Sequence, residues 1–186
     1  MSGPPLRRTD RAVSAQRALE ILVRGFSGRL ATVGADGWPY VVPLLYVWMD
    51  GQIYVHGARA RGHLRQNVEH DPRVCFEVDE PGEVFPYGRF ECDTALEYRS
   101  VIVFGTIHIV SDGNEKARFC SELMRKYGDS AWARPREFYP RLDEITVYRI
   151  AIGRMTGKET ALPVASRRWP ELDQTKSPSA VPPEQE

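Results

Sequence analysis

The alternation of apolar and polar positions predicts three antiparallel strands in the first third of the chain. Gly28–Val33 and Gln52–His56 flank a long, nearly continuous apolar run, Trp38–Met49. The connections carry Asp36-Gly37 and Asp50-Gly51, and Asp-Gly is among the strongest short-range signals of a β-hairpin. The three segments are therefore expected to form two successive hairpins.

Two prolines, Pro39 and Pro43, lie inside the long apolar run. Proline has no backbone N–H to donate, so this strand is expected at an edge of the sheet or at bulges. Bulges often lie beside ligand sites, and a barrel corner without a ligand is the equal alternative.

A 3.6-residue spacing of apolar positions predicts three helices. The first begins after Ser14, a candidate N-cap, and ends near Gly25. The second is short, from Gly62 to His70. The third runs from a candidate cap at Asn114 to Tyr127.

Three more strands follow from β-type patterning in the rest of the chain. They are Arg73–Val78, Glu97–Val110 with a bend at Gly105, and Ile145–Met155. Residues 80–93 contain two prolines and two glycines and are predicted to form a long loop.

Six strands in meander-like order with peripheral helices predict a mainly β fold, an antiparallel barrel with added helices. No alternation of strands and helices of the βαβ type is present. The chain of 186 residues suits one domain at residues 13–172. Residues 1–12 are expected to form a flexible arm, and the proline-rich residues 173–186 a disordered tail.

Composition narrows the function classes. Twenty-five Lys plus Arg balance twenty-five Asp plus Glu, which argues against a nucleic-acid partner. No apolar run is long enough to cross a membrane, and the N-terminus lacks the apolar core of a secretory signal. Three widely spaced cysteines indicate reduced thiols and a cytoplasmic location. No cluster of His, Cys, Asp or Glu has metal-ligand spacing, so no metal site is expected.

The most informative segment joins the third strand to the second helix. Arg59, Arg61 and His63 lie in the break and first turn of a helix, where the partial positive charge of the helix end disfavours cations. A bound anion would relieve this, and the free N–H groups of the helix start would bind it as well. A phosphorylated ligand is one interpretation; a solvated basic loop is the other.

His56 ends the third strand where the proposed phosphate loop begins. It could donate a proton to the ligand or hydrogen-bond with it, or it could simply stabilise the strand end. Aromatic residues between Trp38 and Tyr54 could line a pocket for a flat ring, or they could be ordinary core. Since no dinucleotide-binding G-x-G-x-x-G, Walker loop, zinc-protease or hydrolase motif is present, a Rossmann nicotinamide site is not expected.

Four segments in order resemble the pyridoxamine 5′-phosphate oxidase-like superfamily of flavin-binding split barrels, and within it the nitroimidazole-reductase (Nim) family of antibiotic-resistance proteins. The segments are Arg29–Val33 with Pro43–Tyr46, Tyr54–Val78, Glu97–Gly105 and Met155–Glu159. The resemblance implies a six-stranded antiparallel split barrel and a homodimer with FMN at its interface. FAD remains open as a longer alternative.

The resemblance also implies roles for individual residues. His56 is expected near the flavin ring and the substrate, as the catalytic residue. The cofactor-binding residues implied are Leu44, Leu45 and Tyr46 at the ring, His56 and Gly57 beside it, Arg61, Gly62, His63 and Leu64 at the phosphate, and Arg99 with Ser100 at the ribityl chain or phosphate. Many relatives carry Gly-Arg-Lys where this chain has Arg61-Gly62-His63, and a neutral His63 would bind phosphate less strongly than lysine.

The function so implied is an FMN-dependent oxidoreductase that reduces nitro-aromatic compounds such as 5-nitroimidazoles. Electrons would come from a transiently bound NAD(P)H, and the substrate would be a small aromatic molecule. Three alternatives stay open: a non-catalytic flavin- or haem-binding carrier or sensor, a pyridoxamine-phosphate oxidase proper, and a deazaflavin-dependent reductase.

Overall fold

A computed structural model describes residues 5–88, 92–129, 131–132 and 141–164. These residues form one antiparallel sheet of seven strands with three α-helices around it. The strands are β1 Gly28–Val33, β2 Pro39–Leu44, β3 Tyr46–Met49, β4 Gln52–Ala58, β5 Arg73–Pro86, β6 Thr94–Val110 and β7 Ile145–Thr160. The helices are α1 Ala15–Arg24, α2 His63–His70 and α3 Gly113–Tyr127, with short 3-10 turns at Thr9–Arg11 and Leu142–Glu144.

The sheet order is β2-β1-β5-β6-β7-β4-β3, so the mainly β antiparallel fold is confirmed. The strand count of six is wrong, because the apolar run at 38–49 divides at Leu45. β2 pairs with β1 and β3 pairs with β4, so the two halves of the run lie at opposite ends of the strand order. A change of pairing partner leaves no trace in a continuous apolar pattern.

The hairpin turns form where the Asp-Gly pairs predict them. Gly37, Asp50 and Gly51 have positive φ angles of 80°, 52° and 74°, the left-handed region that favours Gly and Asp in tight turns. Pro39 and Pro43 both lie on the exposed face of β2, which is an edge strand. The edge position expected for these prolines is therefore confirmed.

β5 and β6 are longer than the sequence indicates. The predicted loop at 80–93 is wrong over its first half, because β5 continues to Pro86 with a register shift between Pro81 and Val84. The bend predicted at Gly105 is confirmed by a register shift there. A Cβ atom on Gly105 would lie 2.3 Å from the carbonyl oxygen of Ala151, so the close approach of β6 and β7 at this irregularity requires glycine.

The helix boundaries follow from side-chain caps. The hydroxyl of Ser14 accepts a hydrogen bond from the backbone N–H of Arg17 at 3.1 Å and caps α1 as predicted. The cap predicted at Asn114 is wrong. Asp112 caps α3 instead, since its carboxylate accepts from the N–H of Glu115 at 2.7 Å.

Two apolar clusters hold the elements together. The main cluster lies inside the curved sheet and includes Leu22, Leu30, Phe76 and Val103. The second cluster lies between the sheet and α3 and consists of Val47, Met49, Tyr54, Val110, Phe119 and Val147. Residues on β4 thus alternate between the inside of the barrel and α3.

The proposed domain limits remain a prediction. Within the expected arm, residues 9–11 form a 3-10 turn, and Ala12 forms an isolated bridge with Lys158. The expected tail at 173–186 lies outside the described residues.

Candidate functional site

The break between β4 and α2 forms a compact turn whose backbone is well bonded. The N–H of Arg59 donates to the carbonyl of Glu144 at 3.0 Å, and the N–H of Gly62 donates to that of Ala60 at 2.9 Å. No side chain of the described residues caps α2, and its first turn holds no acidic residue. The N–H groups of the first turn, which have no acceptor within the helix, therefore point outwards from the start of α2.

Side chains from α2 fold back over this turn and fix its shape. The guanidinium of Arg65 donates to the carbonyl of Arg59 at 3.4 Å. The amide of Gln66 donates to the carbonyl of Arg61 at 3.1 Å. We call Arg61, Gly62 and the first-turn N–H groups of residues 63–65 the basic cradle. Its backbone is held in place without a ligand.

Glu69 is the internal counter-ion of the cradle. Its carboxylate accepts hydrogen bonds from Nε of Arg65 at 2.9 Å and from Nε of Arg61 at 2.8 Å. Both hydrogen bonds lower the pKa of Glu69, and the bond from Arg65 has the larger effect. Of the three cationic residues that the sequence leaves unbalanced, Arg61 is thus partly neutralised, and an incoming phosphate would compete with Glu69 for it.

The space in front of the cradle is open. A Cβ atom on Gly62 would meet no atom of the described residues within 4 Å, and Gly62 has an ordinary negative φ of −84°. The fold itself therefore does not require glycine at this position, whereas a ligand that approaches the backbone would benefit from it. The N–H donors, the Arg61 guanidinium and this space fit a phosphate group.

His63 and Leu64 lie on different sides of the cradle. The His63 side chain is exposed, and its ring lies 5.7 Å from the ring of Tyr40 on β2, which brings the edge strand close to the start of α2. Leu64 is half-buried and packs against the main core. Leu64 could therefore contribute its backbone N–H to a ligand, but not its side chain.

His56 lies on β4 just before the cradle and faces α3. Its ring is 5.5 Å from that of Phe119, and its Nδ1 atom is buried without a hydrogen-bond partner in the described part of the chain. Burial lowers the pKa of His56, so the imidazole is neutral at neutral pH. Beside it opens a pocket of about 370 Å³ lined by His56, Gly57, Ala58, Arg141, Glu144 and Ile145.

The predicted ring-binding residues lie at the break between β2 and β3. Leu44 is half-buried, and Leu45 is 38% exposed. Tyr46 is fully buried; its hydroxyl donates to the carbonyl of Leu22 and its ring contacts Phe76. The Tyr46 side chain thus belongs to the core, and the half-buried side chain of Leu44 packs against the same core. Leu45 is therefore the most exposed side chain of the three.

Arg99 and Ser100 are not brought to the cradle within one chain. They pair with Glu159 and Lys158 near the end of β7, whereas Ala58, next to the cradle, pairs with Ile145 at its start. Arg99 forms ion pairs at 3.4 Å with both Glu80 and Glu159. Ser100 is half-buried beside it.

Sequence reasoning missed two residues that shape this region. Glu69 had a usable signal, since an Arg65–Glu69 pair has the i,i+4 spacing of a helical ion pair. Tyr127, whose hydroxyl lies 2.8 Å from the carbonyl oxygen of Tyr46, gave no such signal because the contact spans 81 residues.

The described residues contain neither a metal-binding cluster nor a membrane-spanning helix. No group of three or more His, Cys, Asp or Glu side chains there could hold a metal ion. None of the helices there has the length and apolar character needed to span a bilayer.

The curved seven-stranded sheet with its flanking helices is the fold of the flavin-binding split-barrel proteins. The profile of the pyridoxamine 5′-phosphate oxidase family matches residues 14–159, so the chain belongs to this flavin-binding family. It is similar to a 5a,11a-dehydrotetracycline/5a,11a-dehydrooxytetracycline reductase of Streptomyces rimosus subsp. rimosus, with 33% identity over 102 residues. That match covers 52% of this chain and 65% of the reductase, slightly less than two thirds of its length.

Solved structures show the same fold. An FAD-binding protein from Mesorhizobium loti is 28% identical, with a TM-score of 0.60 over 81% of this chain and 98% of that protein. A candidate 5-nitroimidazole antibiotic resistance protein from Bacteroides thetaiotaomicron has a TM-score of 0.65 at 19% identity, over 79% of this chain and 85% of that protein. The family resemblance drawn from the sequence is thereby confirmed.

Proposed function

We propose that this chain is an FMN-dependent reductase of small aromatic compounds, with nitro-aromatics such as 5-nitroimidazoles among its substrates. The observation that carries the proposal is the basic cradle: a preformed helix start with Arg61, free N–H groups and open space at Gly62, in a chain of a flavin-binding family. The 33% sequence identity of this chain to the tetracycline-derivative reductase over 102 residues supports reduction as the class of reaction. NAD(P)H, bound transiently, would be the electron donor.

The predicted site residues other than Tyr46, whose side chain is buried in the core, have parts in this proposal. Arg61, Gly62 and the N–H groups of His63 and Leu64 would hold the phosphate, and Leu44 with Leu45 would contact the ring. The backbone of Gly57 leaves room for the cofactor, since among the described residues a Cβ there would meet Tyr148 alone, at 3.9 Å. When bound, FMN would supply two-electron chemistry between nicotinamide and substrate.

His56 is proposed to supply a proton or orient the substrate. Reduction of a nitro group to a nitroso group takes up two electrons and two protons and releases water. A hydride from NAD(P)H brings two electrons and one proton, so the second proton comes from the protein or from solvent. To supply that proton, the neutral imidazole of His56 would first take one up from solvent and then release it as imidazolium. Without such a transfer, its N–H would donate a hydrogen bond that orients the nitro group.

The distance between the two predicted halves of the site favours a dimer. Arg99 and Ser100 lie at the opposite end of β7 from the cradle, about fourteen residues along a strand that rises roughly 3.3 Å per residue. One flavin bound to one chain would not reach both ends. In a two-fold dimer with flavin at the interface, Arg99 and Ser100 of a second copy would meet the cradle of the first.

The test is a titration of the purified protein with riboflavin, FMN and FAD, followed by fluorescence and the visible spectrum. We expect FMN to bind at least roughly tenfold more tightly than riboflavin, because only FMN carries the phosphate. Oxidation of NAD(P)H should then depend on both FMN and a nitro-aromatic acceptor. Absence of flavin uptake, or a Soret band after haem addition in its place, would refute the proposal.

Gly62→Ala tests the position of the phosphate. Because a Cβ at Gly62 has open space, the variant should fold with nearly unchanged stability while FMN binding weakens and riboflavin binding stays the same. Gly113→Ala, also at an open position but on α3, is the matched control. Equal FMN affinity in both variants would place the phosphate elsewhere.

A further inference from the structure

The hydroxyl of Tyr127, at the end of α3, contacts two separate backbone segments at once. It accepts a hydrogen bond from the N–H of Tyr46 at 3.2 Å, and it lies 2.8 Å from the carbonyl oxygen of Tyr46 and 2.7 Å from that of Phe26. Tyr46 is the first residue of β3, immediately after the break at Leu45. The Tyr127 side chain of α3 thus binds the backbone directly after the break between β2 and β3.

The surroundings of Tyr127 keep its hydroxyl in this position. The ring of Phe26 packs edge-on against the ring of Tyr127, with centroids 5.5 Å apart. On the neighbouring residue, the ammonium of Lys126 lies 3.8 Å from the centre of the Tyr46 ring. Tyr46 is therefore held by α3 through both its backbone and its ring.

The core holds Tyr46 from the other side. Its hydroxyl donates to the carbonyl of Leu22 at the end of α1, and its ring packs edge-on against Phe76 with centroids 5.1 Å apart. Leu45 itself has no comparable support, since its side chain is 38% exposed. The direction in which Leu45 points is thus set by the residue that follows it, whose backbone is bound to Tyr127.

We propose that Tyr127 is a positioning residue for flavin binding: its hydroxyl fixes the break between β2 and β3 so that Leu44 and Leu45 present a fixed apolar surface to the isoalloxazine ring. The inference rests on the proposed function, in which these two leucines contact the ring. It adds a residue of α3, distant in sequence from every predicted site residue, that acts on the ring end of the cofactor and leaves the phosphate end unchanged.

The test compares two tyrosine-to-phenylalanine variants that each remove one hydroxyl anchoring α3. Tyr127→Phe removes the contact with the break. Tyr54→Phe removes the hydrogen bond from Tyr54 to Glu115, 2.7 Å long, at the other end of α3, and serves as the matched control. Dissociation constants for riboflavin and FMN, the visible spectrum of bound FMN and its midpoint potential are measured for both variants and the parent protein.

We expect Tyr127→Phe to weaken riboflavin and FMN binding by the same factor, roughly fivefold, because the ring and not the phosphate loses its contact. The spectrum and midpoint potential of bound FMN should change in this variant and not in Tyr54→Phe. Phe26→Leu, at a ring that is 72% exposed, is a second variant that loosens Tyr127 without touching the core, and a smaller change in the same direction is expected.

The possible failures are distinguishable. If the parent protein binds no flavin, the proposed function and this inference both fail. If the parent binds flavin and Tyr127→Phe binds it with unchanged affinity, spectrum and potential, only the inference fails. It also fails if Tyr54→Phe and Tyr127→Phe change these readouts equally, because Tyr127 would then act only through the general stability of α3.

Discussion

Asn67 on α2 donates a hydrogen bond from its side-chain amide to the hydroxyl of Thr32 on β1, at 3.0 Å, and the two residues are only 8% and 2% exposed. This buried polar pair lies between α2 and the edge region of the sheet. Because the cradle is the first turn of α2, the pair fixes the orientation of the cradle relative to β1.

Loss of one partner should cost stability. Asn67→Ala removes the amide that bonds the buried Thr32 hydroxyl and leaves it the carbonyl of Tyr40 at 3.5 Å. We expect the free energy of unfolding to fall by about 1–3 kcal/mol, measured by urea denaturation. Thr32→Val should cost a similar amount. The double variant Asn67→Leu/Thr32→Val should cost less than the sum of the single changes, since it leaves no polar group unpaired.

An exposed pair provides the control for this prediction. Arg125 bonds Glu122 on the surface of α3, and Arg125→Ala should change stability by no more than about 0.5 kcal/mol. Strict additivity of the Asn67 and Thr32 effects would mean that the two side chains do not interact in solution.

Glu69 should tune anion binding at the cradle. Glu69→Gln removes the carboxylate that accepts from Arg61 and Arg65, so both guanidinium groups become available to a phosphate. We expect FMN to bind several-fold more tightly and riboflavin, which has no phosphate, to bind as before. The difference should shrink at high salt, where exposed charges are screened.

A second glutamate separates this local effect from a general change of charge. Glu122 bonds Arg125 on α3, and Glu122→Gln changes the net charge of the protein by the same amount. The FMN affinity of Glu122→Gln should stay at the parent value. Equal tightening in both glutamine variants would show that Glu69 acts only through net charge.

Lys126 makes stability depend on pH in the alkaline range. Burial, and to a lesser degree the positive charge of Arg125, lower the pKa of Lys126 to about 8. Between pH 8 and about 10.4, the ordinary pKa of a lysine side chain, the unfolded chain binds more protons at this residue than the folded protein does. Lys126 therefore makes stability rise with pH in this range. Below pH 8 both states hold the proton, and the cost of burying the charge is fully present.

Lys126→Met, which keeps the length of the side chain and removes the charge, should therefore be more stable than the parent protein at pH 7. The expected gain is on the order of 2 kcal/mol, less the lost contact of the ammonium with the Tyr46 ring. Urea denaturation at several pH values between 7 and 10 should show the gap narrowing as pH rises. A constant gap would mean that Lys126 titrates normally.

The close approach of β6 and β7 at their register shift requires glycine at position 105. In Gly105→Ala the new methyl group would lie 2.3 Å from the carbonyl oxygen of Ala151, so the backbone must move. We expect a loss of stability of about 2 kcal/mol or more, visible as a lower midpoint of thermal unfolding. Gly113→Ala, where a methyl group meets no atom within 4 Å, should be neutral or slightly stabilising.

The elements predicted correctly were those encoded by neighbours in sequence. The Asp-Gly turns require left-handed backbone at residues 37, 50 and 51, and the Ser14 cap depends on a residue three positions later. The break at Leu45 was missed because nothing local distinguishes a strand that changes its pairing partner from one that does not. The extension of β5 through Pro81 was missed because proline and glycine usually indicate a loop.

The site followed the same division. The phosphate site at the cradle stays a prediction, and the sequence points to it because its cations contradict the polarity of a helix start, which is a local conflict. The counter-ion Glu69 was missed although its spacing from Arg65 is that of a helical ion pair. The contact of Tyr127 with the backbone of Tyr46 spans 81 residues and becomes visible only in the folded structure. The separation of Arg99 from the cradle likewise depends on the length of β7, which no motif records.

The position of β7 in the sheet has a consequence for how the chain reaches its native state. β7 is the strand that hydrogen-bonds both to β6 and to β4, so before it is in place the sheet consists of a four-stranded piece and a separate β3–β4 hairpin. The chain joins the two pieces at Leu45 and again through the segment that contains α2. On the ribosome, each hairpin can form as it is synthesised, but the barrel closes only after residues 145–160 have emerged. Until then the nascent polypeptide exposes the edges of β4 and β6, which are sites where a partly folded chain can pair with another.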